Sequence, residues 1–170
     1  GYQSHTYMPA YLDSEFGEIM QRSSHITFNS LSQWERFRER VEAYKAANPD
    51  KTLSCGIRVN PQYSEVATDM YNPCVPGSRL GVTRDKLPDE LPAGIDGIHF
   101  HTLCENGSDT LERTLAALEE KFGDLLHQAK WLNMGGGHLM TREGYDISKL
   151  IKLVSTIKEK YNLDVILEPG

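Results

Sequence analysis

The stretch "GIHFHTLCE" (97–105) decides how the chain folds. It opens like a β-strand and closes on His99, His101 and Glu105, residues that do not suit a core. Further on, "KWLNMGGGH" (130–138) repeats the pattern and runs into three consecutive glycines. Each stretch leads to an amphipathic helix. Between them, 108–127 carries Leu111, Leu115, Leu118, Phe122 and Leu125 on one stripe, with Asp109 and Glu112 resembling a capping box. After the glycines, Asp146 opens a helix with Ile147, Leu150, Ile151, Val154, Ile157 and Tyr161 on one face.

The alternation extends outward. "HTY" (5–7), "HITFN" (25–29), "SCGIRVN" (54–60) and "DVILE" (164–168) read as further strands. A short helix over 13–22 would bury Phe16, Ile19 and Met20. A longer one opens at Ser30, has Gln33 at the capping-box position, and carries Leu31, Trp34, Phe37, Val41 and Tyr44 at helical spacing. A long loop centred on "YNPCVPGSRLGV" (71–82) follows the third strand. Strands alternating with helices imply a parallel sheet, either an open doubly wound sheet or a (β/α)8 barrel. In both, chemistry gathers beyond the carboxyl ends of the strands.

Composition narrows the classes of function. The chain has 170 residues, enough for one domain, and shows no tandem repeat or interdomain linker. Its net charge of −6 argues against binding duplex nucleic acid, which calls for a basic face. No apolar run is long enough to cross a bilayer, and no signal peptide is evident. The three cysteines, Cys55, Cys74 and Cys104, form no CxxC pair, so neither a disulfide framework nor a cysteine zinc site is expected, and a reducing cytoplasm is the simplest setting.

The strand ends carry Asn29; Arg58 and Asn60; His99 and His101; Asn133 with Gly135, Gly136 and Gly137; and Glu168 with Pro169 and Gly170. Each has more than one reading. Three glycines leave backbone N–H groups open to an anion, or they allow a tight turn against a neighbouring strand. His99 and His101, two apart on a strand, leave the same face. They could bind a metal, stack on an aromatic ring, or pack as ordinary core histidines. Glu168 could pair with a cation or serve chemistry. For Arg79 a solvated loop position is the default, and for Cys104 a buried inert thiol.

Taken in order, "HTYMPAY", "HITFNSLSQWERF", "GIRVNPQYSEV", "YNPCVPGSRLGVT", "GIDGIHFHTLCENGSDTLERTL", "KWLNMGGGH" and "ILEPG" resemble the carboxynorspermidine decarboxylases over essentially the whole chain. "NPCVPGSRLG" joined to "HFHTLCE" is particular to that family. "GGG" and "EPG" also occur in the related fold type III decarboxylases of ornithine, arginine and diaminopimelate, which depend on pyridoxal 5'-phosphate.

The resemblance implies an alanine-racemase-like (β/α)8 barrel with a C-terminal β-domain, assembled as a homodimer in the cytoplasm. It implies decarboxylation of carboxynorspermidine or carboxyspermidine to norspermidine or spermidine and CO2, in polyamine biosynthesis. Gly135, Gly136 and Gly137 would hold the cofactor phosphate, with Cys104 beside it. His101 would stack on the cofactor ring, Glu168 would face the pyridine nitrogen, and Arg79 would lie near the cofactor. No metal is expected. The lysine that holds the cofactor covalently in this fold ends the first barrel strand, and no lysine here is placed to replace it. Residues 1–170 are therefore expected to be a pyridoxal phosphate-binding barrel domain incomplete at both ends. It would cover strands 3 to 8, lack the β-domain, and be inactive by itself. Two other functions fit the residues: a non-catalytic pyridoxal phosphate-binding module, and a metal-dependent barrel hydrolase using His99 and His101.

Overall fold

A computed structural model describes residues 4–169. It contains β1 (His5–Tyr7), α1 (Phe16–Arg22), β2 (His25–Phe28), α2 (Leu31–Ala47), β3 (Ser54–Arg58), β4 (Gly97–His99), α3 (Ser108–Leu126), β5 (Trp131–Asn133), α4 (Ile147–Tyr161) and β6 (Asp164–Ile166). The strands form one parallel sheet in the order β1-β2-β3-β4-β5-β6. Strand order never reverses, so the sheet has no switch point of the kind a doubly wound fold requires. The result is an arc of a (β/α)8 barrel, a half-barrel of six strands.

Side-chain alternation separates the two faces of the arc. Ile26, Phe28, Cys55, Ile57, Ile98, Phe100, Leu132 and Met134 are fully buried on the helix side. Phe28 packs there against Trp34 and Phe37 of α2. The opposite, concave face is polar and aromatic. At the amino ends of the strands Trp131 lies across Gly56 and Gly97, where added Cβ atoms would come within 2.3 and 2.0 Å of its ring. Its indole donates to Ser54 Oγ at 2.8 Å. His5 and His25, paired in register, stack beside it with ring centroids 4.0 Å apart. This layer closes the bottom of the concave face and leaves the carboxyl ends open.

The helices form where the spacing predicts them, with local differences. Ser30 caps α2 by accepting from the Gln33 N–H at 3.1 Å. The reciprocal bond reaches one residue further back, from the Asn29 N–H to Gln33 Oε1. Asp146 caps α4 through the Lys149 N–H at 2.8 Å. The capping box expected at Asp109 and Glu112 does not form. Gly107 is the N-cap of α3 without a side-chain bond, and Asp109 pairs with Lys149 instead. The buried stripe of α4 is turned relative to expectation. Leu150, Ile157 and Tyr161 are buried, whereas Ile147 and Ile151 are exposed, because the helix leans on α3 and β6 along the side that also carries Leu153.

Apart from β1, the strands are shorter than their sequence patterns. "GIHFHT" ends as ladder at His99, yet the extended chain still pairs beyond it, with Phe100 N–H donating to Asn133 O at 3.0 Å. The connection from β3 to β4 is not a helix. It is a long loop, 59–96, with 3-10 turns at Asp69–Tyr71 and Arg84–Lys86, and Val82 bridges back to Val59.

Candidate active site

Polar side chains converge where the strands end. Tyr7 closes β1, Asn29 follows β2, Arg58 closes β3, and His99 and His101 end β4 and its extension. Asn133 closes β5, and Glu168 follows β6. All arise from the alternation that puts their apolar neighbours against the helices.

Arg58 organises one side. It is only 5% exposed, and its charge is spread over neutral acceptors. Nη1 donates to the Tyr7 hydroxyl at 2.6 Å and Nη2 to the His101 carbonyl at 3.0 Å. The guanidinium also lies over the Tyr7 ring, 4.8 Å from its centroid. The Tyr7 hydroxyl in turn donates to Asn29 Oδ1 at 2.9 Å. On the other side Asn133 Nδ2 donates to Glu168 Oε1 at 2.8 Å, while Asn133 Oδ1 accepts from the Gly135 N–H at 2.8 Å. A backbone bond from Glu168 N–H to Gly135 O, 2.9 Å, binds the glycine turn to the end of β6.

The three glycines satisfy both readings of their sequence. Gly135 and Gly137 take positive φ, +64° and +82°. A Cβ on Gly136 would lie 2.5 Å from the Glu168 carbonyl oxygen, and one on Gly137 would lie 2.2 Å from that of Leu103. The turn thus packs bare backbone against two neighbouring segments. Among the described residues the N–H groups of Gly136 and Gly137 donate to no acceptor, leaving two adjacent donors open to an anion. His101 is part of the same contact, its ring 3.5 Å from the Gly136 Cβ position.

Burial sets the protonation of this cluster. It pushes the His99 imidazole down to about 3, helped by the Arg58 charge. His101 is lowered chiefly by burial and then by Arg58, with Glu168 pulling the other way. Burial raises the Tyr7 phenol, against the effect of Arg58. The site therefore presents neutral imidazoles and a neutral phenol beside one guanidinium. His99, His101 and Glu168 also offer donor atoms lying within 4.8 Å of one another.

The predicted site residues divide. Gly135, Gly136, Gly137, His101 and Glu168 are brought together. Cys104 adjoins them through its backbone, 2.9 Å from the Gly137 Cβ position, but the residue is exposed rather than buried. The loop carrying Arg79 is tied in through its carbonyl, which accepts from Asn29 Nδ2 at 2.8 Å. The Arg79 side chain is exposed and makes no hydrogen bond or ion pair among the described residues. Gly170, the end of "ILEPG", lies outside them. Tyr7 carried no signal beyond its strand, and Arg58 was marked only by its strand-end position. Among the described residues no lysine ends a strand. Lys51 and Lys130 precede β3 and β5, Lys45 lies on α2, and Lys86 in a 3-10 turn. Lys121 lies on α3, and Lys149, Lys152, Lys158 and Lys160 on α4. No described helix is long and apolar enough to cross a membrane.

No protein-family model matches the chain. It is 45% identical over its full length to a carboxyaminopropylagmatine decarboxylase of Synechocystis sp., of which it covers 42%. It is 42% identical over 98% of its length to a carboxynorspermidine/carboxyspermidine decarboxylase of Campylobacter jejuni, of which it covers 41%. The chain thus spans about two-fifths of these relatives. Among solved structures it resembles the carboxynorspermidine decarboxylase of Campylobacter jejuni complexed with norspermidine, with TM-score 0.83 and 39% identity over 99% of this chain and 41% of that one. A diaminopimelate decarboxylase at 16% identity and TM-score 0.64, matched over 98% of this chain and 41% of its own, shares the fold.

Proposed function

We propose, from the premise that this chain belongs over its whole length to the carboxynorspermidine decarboxylase family, that it is the cofactor-holding barrel segment of a pyridoxal phosphate-dependent decarboxylase. The reading rests on one contact: the glycine turn touches both the Glu168 backbone and the His101 ring. An open pair of N–H donors, a flat side chain and a carboxyl group with a donor atom within 4.8 Å of that side chain's form a set that fits a phosphate-bearing pyridine ring.

In this reading the N–H groups of Gly136 and Gly137 bind the phosphate, with the Cys104 backbone beside them. His101 would face the cofactor ring and hold its orientation. Glu168, held by Asn133, would favour the protonated form of the pyridine nitrogen. Arg58 fixes Tyr7 and the His101 backbone. Arg79 serves from the rim of the site. The cofactor supplies an electron sink for the charge left on the α-carbon when CO2 departs. The lysine that anchors it comes from the intact protein outside these 170 residues.

The substrate class is an α-amino acid head on a polyamine tail. Carboxynorspermidine and carboxyspermidine come first. Carboxyaminopropylagmatine is the second candidate, favoured by the 45% identity to a decarboxylase of that substrate. The intact protein is expected to be a cytoplasmic homodimer. Borohydride reduction of the purified protein, followed by peptide mapping, should place a pyridoxyl group on a lysine outside this segment. CO2 release from the three carboxylated polyamines, compared as kcat/KM, then ranks them. No adduct and no CO2 from any of the three would defeat the reading.

A further inference from the structure

His99 has no part in the decarboxylase reading. It is 1% exposed, and neither of its ring nitrogens has a hydrogen-bond partner. Buried polar atoms are rarely left in that state. One donor atom from each of His99, His101 and Glu168 falls within 4.8 Å of the others. Two imidazoles and a carboxylate are a donor set of open zinc sites, which keep the fourth position for water. Both rings are neutral, so their lone pairs are available without displacing a proton. Glu168 already has an outer partner in Asn133, as metal-binding carboxylates commonly do. Zinc bonds of about 2.1 Å set tetrahedral ligand atoms roughly 3.4 Å apart, so the three donor atoms would have to close by at most about 1.4 Å. The Arg58 charge opposes a cation here and limits the affinity.

We propose that the cofactor-free protein binds one zinc ion on His99, His101 and Glu168, and that zinc and pyridoxal phosphate exclude one another. The exclusion rests on the decarboxylase reading; the binding of zinc does not.

The test uses the intact protein stripped of cofactor and metal, with zinc as the probe. Equilibrium dialysis and elemental analysis should find one zinc per chain. Cobalt in its place should show the visible absorption of a four-coordinate ion. His99→Phe keeps a flat ring of similar size and breaks no hydrogen bond, so it should fold like the parent and weaken zinc by at least about 10- to 100-fold. Glu168→Gln should weaken zinc by a similar factor. Pyridoxal phosphate should release the bound zinc. Absence of stoichiometric zinc, or equal retention by both variants, would overturn the site. Zinc retained beside bound pyridoxal phosphate would overturn the exclusion. Zinc held by this triad in a protein that takes no pyridoxal phosphate would uphold the metal site and defeat the cofactor reading instead.

Discussion

Gly136 is the position where a single methyl group matters most. Its Cβ would sit 2.5 Å from backbone that is itself hydrogen-bonded to Gly135. Gly136→Ala must therefore push the turn away from Glu168, at a cost of about 1–3 kcal/mol. Both the melting temperature and the affinity for pyridoxal phosphate of the intact protein should fall together. A variant that melts lower but binds the cofactor unchanged would separate the turn from the phosphate site. Glu168→Gln asks a different question, since it keeps shape and removes charge. If Glu168 faces the pyridine nitrogen as proposed, kcat of the intact protein should drop by about 100-fold or more while KM changes little. Steady-state rates with carboxynorspermidine check this.

At the scale of elements, the site depends on how each segment enters and leaves the sheet. Ser30 caps α2, and the same turn presents Asn29 to Tyr7 and to the Gly81 N–H. Ser30→Ala removes one acceptor from the helix start and should lower stability by about 1 kcal/mol. Chemical denaturation of the intact protein measures it. The loop 59–96 is fastened to α3 by Glu65, which accepts from Arg113 Nε at 2.6 Å and from Thr110 Oγ1 at 3.0 Å. Hydrogen bonds from Arg113 foremost, then the Tyr63 hydroxyl and Thr110, hold the Glu65 carboxyl at about 2, well below its usual range. Arg113 is exposed and Glu65 only partly covered, so the pair's contribution is small and falls with salt.

For the whole molecule, two features stand out. The first is acid sensitivity from buried neutral histidines. Burial lowers His99 to about 3 and His25 to about 4, against an unfolded value near 6.5. The unfolded chain binds these protons first, so stability is full above pH ~6.5 and falls steadily as the pH drops toward 4 and 3. A pH series of thermal melts should show this slope, and His99→Phe should flatten it. The second is the open arc. The outer edges of β1 and β6 have no strand partner among the described residues, and such edges recruit other chains. The 170-residue chain by itself should associate in sedimentation experiments. Cooperative unfolding as a monomer would contradict this.

The sequence by itself determined the elements and most of the site's membership. Local periodicity marks a buried stripe or strand, and strand ends carry the residues unsuited to a core, so Asn29, His101, the glycines and Glu168 were legible as a rim. Periodicity alone left barrel and doubly wound sheet open, because local pattern does not encode strand order; the family resemblance implied the barrel, and the unreversed order of six strands bears it out. Tertiary structure also decided which rim residues meet. Arg58 reaches Tyr7 across 51 residues, and Asn133 reaches Glu168 across 35, distances over which periodicity carries no information. It turned α4 off its predicted face and left the Asp109 capping box unformed, because packing against α3 and the ion pair to Lys149 outweigh local preference. His99 shows the division most clearly: its spacing placed it on the same face as His101, but only the packed barrel leaves both its nitrogens buried and without a partner.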